Sequence, residues 1–187
     1  MICSIFPLSA FASSSPDAVR VDGNIAYIDD YMEFYNNQDY YNNWAFSNGY
    51  SLAVNVPSEY MDLEIERIVG NSTIHELSSE PLTRGLSIPT ATWNLSEKGK
   101  YSFSVESAAS PIYTNYKFTG THAIHVLTTL SISNRSAGGT AYGVDGGPQD
   151  FSTSTGTSIS TLLFTSEYNY SFYLRFNAPA YLIGSIT

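Results

Sequence analysis

The sequence predicts an all-β protein, a β-sandwich with jelly-roll topology as one version, carrying a short N-terminal extension that includes one helix. Three observations lead there. Tyr101, Phe103 and Val105 alternate with Ser102, Ser104 and Glu106, the period-2 pattern of a strand with one buried face. From Trp93 onward, short apolar-polar segments recur between breaks rich in Gly, Asn, Ser and Pro. Aromatic residues make up 14% of the chain and charged residues only 13%, so hydroxyls and amides supply the polar faces, as strands favour.

Residues 1–12, MICSIFPLSAFA, are apolar and end in Ala10-Phe11-Ala12. That is the apolar region and small-x-small cleavage site of a secretory signal peptide, though no basic residue precedes it. The expectation is export, with 1–12 as a signal-peptide remnant; removing it would also remove the single cysteine, Cys3. No later stretch approaches the ~20 apolar residues needed to span a bilayer, so membrane insertion is not expected.

Residues 13–80 read as an acidic, Tyr/Asn-rich N-terminal segment and 81–187 as the sandwich domain. Residues 1–80 hold 12 acidic and 2 basic side chains, a net of -10, against 5 and 6, a net of +1, in the remainder. So acidic a chain is a poor ligand for nucleic acid or anionic membranes, where basic side chains supply most of the affinity. Ile25, Ile28, Met32 and Tyr35 fall at helical spacing and predict a short amphipathic helix, with a strand between wide loops as the competing reading. Asn36-Asn37 and Asn42-Asn43 would end it as turns. Leu52, Val54 and Val56 predict a strand stopped by Pro57. Met61, Leu63 and Ile65 alternate with Asp62, Glu64 and Glu66, which favours a strand with a solvated acidic face over a helix begun at Ser58. Residues 70–90 read as a linker or long crossover.

In the C-terminal half the expected strands cover 93–95, 101–105, 112–118, 122–133, 140–144, 158–164, 168–176 and 181–186. Residues 134–157 are the loosest stretch, and no internal repeat is visible. The runs WNLSEKGKYSF (93–103) and IYTNYKFTG (112–120), with the closing YSFYLRF (170–176) and IGSI (183–186), resemble exported β-sandwich proteins of Gram-positive gut bacteria. The resemblance spans about half of the chain. It implies a fold and a location but no site, because its motifs are framework aromatics and that group has no established activity.

Candidate chemistry is sparse. His122 and His125 stand three apart on an expected strand and so point to opposite faces, one partly buried and one solvated, unable to share a metal. There is no Gly-x-Ser-x-Gly elbow and no His-Glu-x-x-His pattern. Asp29-Asp30-Glu33 and Asp62-Glu64-Glu66 are the densest carboxylate clusters. On a strand, Glu64 and Glu66 would lie about 7 Å apart, a spacing of the order glycosidases use, but they read as a solvated face. No cofactor is expected, calcium being the one candidate: Asp22-Gly23-Asn24 and Asp145-Gly146-Gly147 are oxygen-rich turns, with ordinary Asx turns as the competing reading. Tyr40, Tyr41 and Trp44, interleaved with Asn42-Asn43, are the candidate ligand-binding residues, as a platform of amphipathic rings beside amides; the competing reading has them plugging one end of the sandwich. The expected function is a non-catalytic secreted or cell-surface binding module for a glycan or protein. A secreted hydrolase acting on polysaccharide or peptide and a structural extracellular component are the alternatives.

Overall fold

The computed structural model describes Pro16 and residues 19–78, 87–107, 109–120, 124–133, 135–165 and 170–187. The expected leader at 1–12, with Cys3, and His122 lie outside the described residues. Strand outweighs helix, 47% to 21%, so the chain is mostly β with few helices.

In order, the elements begin with β1 (Val19–Asp22), β2 (Ile25–Ile28), α1 (Tyr31–Asn36), α2 (Gln38–Ser47), β3 (Ser51–Asn55), α3 (Met61–Val69) and β4 (Ile74–Ser78). Then come β5 (Thr92–Asn94), α4 (Leu95–Lys98), β6 (Tyr101–Ser107), β7 (Ile112–Tyr113), β8 (Lys117–Thr119) and β9 (Ile124–Ser131). The last are β10 (Ala137–Tyr142), β11 (Gln149–Thr153), β12 (Thr157–Phe164), β13 (Tyr173–Phe176) and β14 (Ala180–Ile186).

Three sheets result: an eight-stranded one ordered β1-β2-β3-β12-β9-β14-β6-β4, a four-stranded one ordered β11-β10-β13-β7, and the pair β5-β8. Strands from both sides of residue 80 join the large sheet: β3 pairs with β12, and β4 runs parallel to β6. Each face of that sheet buries its own core. On one face Tyr101, Phe103, Val105, Leu127, Leu163, Leu182 and Ile186 pack with Ile112, Phe118, Phe151, Leu174 and Phe176 of the smaller sheets. On the other, Ala26, Ile28, Leu52, Val54, Leu130 and Ile183 pack with Tyr31, Phe34, Tyr41, Trp44 and Ile68 of the helices. Each large side chain so buried contributes about 1.5–3 kcal/mol. Gly184 marks a close approach within the large sheet: a Cβ there would stand 2.6 Å from Phe103 Cζ and 2.7 Å from the Thr128 carbonyl oxygen.

Several expectations are corrected. Ile25–Ile28 is a strand, and helix begins only at Tyr31, where Asp30 caps it by accepting from the Glu33 amide at 3.0 Å. Asn42 and Asn43 lie inside α2, because packing of Tyr41, Trp44 and Ala45 on the sheet overrides their turn preference. Met61–Val69 is helical, with Asp62 and Glu64 in its first turn, Arg67 in its last, and Gly70 at φ 58 ending it. The expected linker contains β4. Residues 112–118 split into β7 and β8, which belong to different sheets, and the loosest stretch holds β11.

Candidate functional site

The four-stranded sheet covers only part of the large sheet's face. Over β2, β3 and β12 that face stays open, and the edge of β11 stands beside it. The result is a groove of about 550 Å³. Its floor is set by strand alternation and register: Tyr27 pairs with Ala53, Ile25 with Ser51, and Ile159 with Ala53, so Ile25, Tyr27, Ser51 and Ile159 share one face with Thr161. The Arg20 guanidinium lies over the Tyr27 ring, 4.3 Å from its centroid, and fixes how that ring stands on the open sheet.

The wall comes from β11, the outermost strand of its sheet. Phe151 anchors it in the core between the sheets. Gln149 donates from Nε2 to the Asp145 carbonyl at 3.1 Å, and the Asp150 carboxylate accepts from Thr140 Oγ1 at 2.7 Å. The remaining polar lining is uncharged hydroxyl and amide, including Asn24, Ser152, Ser154 and Thr157. Such a surface offers donors and acceptors along an extended path, with the rings of Tyr27, Phe151 and Phe164 and the side chains of Ile25, Ile159 and Leu162 for apolar contact. Asp150 is the one carboxylate among the described lining residues.

The rings singled out from sequence sit elsewhere, on α2. Tyr40 is 54% exposed, whereas Tyr41 and Trp44 are 3% and 7% exposed and belong to the helix-covered core. Tyr41 donates its hydroxyl to Glu33 Oε1 at 3.3 Å, and burial, then the Glu33 charge, pushes its pKa up. Trp44 tilts against Tyr50. A partner approaching this helix meets Tyr40.

The carboxylate clusters are taken up by structure. Asp30 caps α1 by accepting from the Glu33 amide, and Glu33 Oε1 accepts from Asn37 Nδ2. Glu64, read as solvated, is fully buried: it accepts from Arg67 Nε at 2.7 Å and Nη2 at 2.6 Å and from the Tyr31 hydroxyl at 3.2 Å. Glu66 is exposed. Positions two apart on a helix do not face each other, so these two carboxylates do not form the pair a strand would give. Tyr31 is driven up, by burial first and then by Glu64.

His125 is buried against Phe172, ring centroids 4.7 Å apart, and His75 stacks on Tyr101 at 4.4 Å with Trp93 and Tyr116 around it. Burial lowers the pKa of both histidines. Among the described residues, no group of three His, Cys, Asp or Glu stands close enough to hold a metal ion. Gly23-Asn24 turns the β1–β2 hairpin after Asp22, and Asp145 opens a turn in which Gly146 and Gly147 both have positive φ. Among the described residues, no helix is long and apolar enough to cross a membrane.

Sequence reasoning missed the groove because its residues come from β2, β3, β11 and β12, which no local pattern links. No protein-family model, curated protein or solved structure matches the chain.

Proposed function

We propose that the chain is a non-catalytic binding module, exported from its cell, whose open groove holds an extended neutral glycan. One observation carries the reading: hydroxyl and amide side chains such as Asn24, Ser51, Gln149 and Thr161 line the groove together with the rings of Tyr27 and Phe164, and its one carboxylate, Asp150, accepts from Thr140. Sugar hydroxyls need many neutral donors and acceptors together with an apolar surface for the ring face, and this lining supplies both. We read the region between the large sheet and the four-stranded sheet as the β-sandwich the sequence predicts; the shared core of Phe103, Leu127, Phe151 and Phe176 supports that.

A second reading is favoured by the position of β11. As the outermost strand of its sheet it offers backbone groups on one side, so an extended peptide could add to it instead.

The test is retention of residues 13–187 on purified peptidoglycan and a panel of insoluble polysaccharides. Tyr27→Ala should reduce retention about tenfold, close to the ~1.4 kcal/mol of a modest aromatic anchor. Tyr40→Ala, outside the groove, should leave retention and stability within about 0.5 kcal/mol of the parent. Equal retention of folded Tyr27→Ala, or no polymer held by the parent chain, would overturn the glycan reading.

A further inference from the structure

Under the helices, the large sheet carries a feature that packing alone does not require. Register sets Ser160 of β12 opposite Thr128 of β9, Thr128 opposite Ser185 of β14, and Ser185 opposite Ser102 of β6. Four adjacent strands therefore place four hydroxyls side by side, all buried, with exposures of 0% to 8%. Beside this row the same face is apolar, with Leu130 and Ile183 in the core. Burying a hydroxyl costs free energy unless it finds a partner. Ser102 donates to the Val69 carbonyl at 3.3 Å, and Thr128 and Ser160 share one bond of 3.0 Å.

Over Thr128, Ser160 and Ser185 lies a partly open cavity of about 200 Å³, with Arg67 and Lys100 in its walls. Lys100 donates one bond, to the Ile68 carbonyl at 3.1 Å, and its ammonium carries three protons. Arg67 gives Nε and Nη2 to Glu64, and those bonds do not use Nη1. Among the described residues no Asp or Glu side chain lines the cavity, and Thr187 lines it as well. Glu64 pairs with Arg67, and among the described residues no Asp or Glu pairs with Lys100. Burial first, and the Arg67 charge second, lowers the Lys100 pKa.

We propose that this cavity binds a small oxyanion, held by Lys100 and Arg67 on one side and by the hydroxyls of Thr128, Ser160 and Ser185 on the other. The wall offers donors in excess of acceptors, and charge-assisted bonds from ammonium and guanidinium to an oxyanion are the strong ones. The volume lies below the ~300–1,000 Å³ of sites for larger ligands, which limits the occupant to the size of phosphate, sulfate or a small carboxylate. This site lies on the opposite face of the sheet from the groove and does not depend on it.

The experiment titrates the full chain with inorganic phosphate, sulfate and acetate in turn at constant ionic strength, following backbone amides by NMR. Saturable shifts at Thr128, Ser160 and Ser185 with any of the three are expected, and the preferred anion separates tetrahedral from carboxylate ligands. Lys100→Met should weaken binding tenfold or more, on the order of a charged hydrogen bond. Ser185→Ala, a smaller change that leaves the charges in place, should weaken it by about threefold, as for a neutral bond. Non-saturating shifts with all three anions, or shifts centred away from the hydroxyl row, would overturn the proposal. So would unchanged affinity in Ser185→Ala together with unchanged affinity in Lys100→Met; if Lys100→Met does not fold, Ser185→Ala alone decides.

Discussion

On one face of the large sheet Tyr101, Phe103, Leu127, Leu182 and Ile186 meet the smaller sheets mainly through apolar and aromatic atoms. On the other face Leu52, Val54 and Ile183 share their layer with a buried ion pair and a row of hydroxyls. The first core is held by shape, with rings such as Phe103 and Phe176 tilted at 5.4 Å. The second is held partly by pairing, and so depends on each partner being present. Two cores of similar rank in one molecule should therefore fail in different ways.

Three substitutions sharpen that contrast. Phe103→Ala, which opens a void in the dry core, should cost about 3–5 kcal/mol in denaturant unfolding. Arg67→Met should cost a similar ~3–5 kcal/mol for another reason, since it leaves Glu64 charged and unpaired inside the protein. Adding Glu64→Leu to Arg67→Met should recover most of that loss, whereas no second change of charge rescues Phe103→Ala. If the double variant is no more stable than Arg67→Met alone, the ion pair does not distinguish the cores. Next in size, Gly184→Ala pushes a methyl into Phe103 and the Thr128 backbone and should cost about 1–3 kcal/mol, read as a lower melting temperature.

The smallest effect is one of pH. His75 and His125 both line the sheet-covered side, and both have folded pKa values below the ordinary 6.5. The unfolded chain therefore binds more protons than the folded one below that value. Their contribution is fully present above pH 6.5 and is lost as the pH falls from there toward the folded pKa values. Melting temperatures recorded from about pH 7.5 to pH 5 should fall, and His125→Gln should fall less steeply than the parent over that range. An equal slope in that variant would remove His125 from the account.

The same contrast governs what could be read in the sequence. The strand at Tyr101–Ser107 was legible because its alternate residues face a uniformly apolar core. The helices over the other face were not. Met61 to Glu66 alternates as a strand would, and only the continuation through Ile68 and Val69, both buried, reveals the helical face. Asn42 and Asn43 carry a turn preference that packing of Tyr41 and Trp44 overrides. Tyr40, Tyr41 and Trp44 were legible as a cluster, but their division into one exposed ring and two buried ones depends on the docking of α2, a tertiary event. Ser160, Thr128, Ser185 and Ser102 each look like the polar side of a strand. Nothing in their local sequence says that a helix layer lies above them.

The placement of β14 has a consequence for how the molecule is made. This strand follows every other in chain order, yet it sits inside the large sheet, bonded to β9 on one side and β6 on the other. Until Ala180–Ile186 has left the ribosome, β6 and β9 have no strand to join them, and Phe103 and Leu127 lack their neighbours Leu182 and Ile186. The two halves of the sheet must wait, with apolar edges uncovered, for a segment synthesised after both of them. Folding of this kind is intrinsically slow and exposes the growing chain to aggregation. A nascent chain stalled before Ala180 should need a holding chaperone, and one released past Ile186 should not.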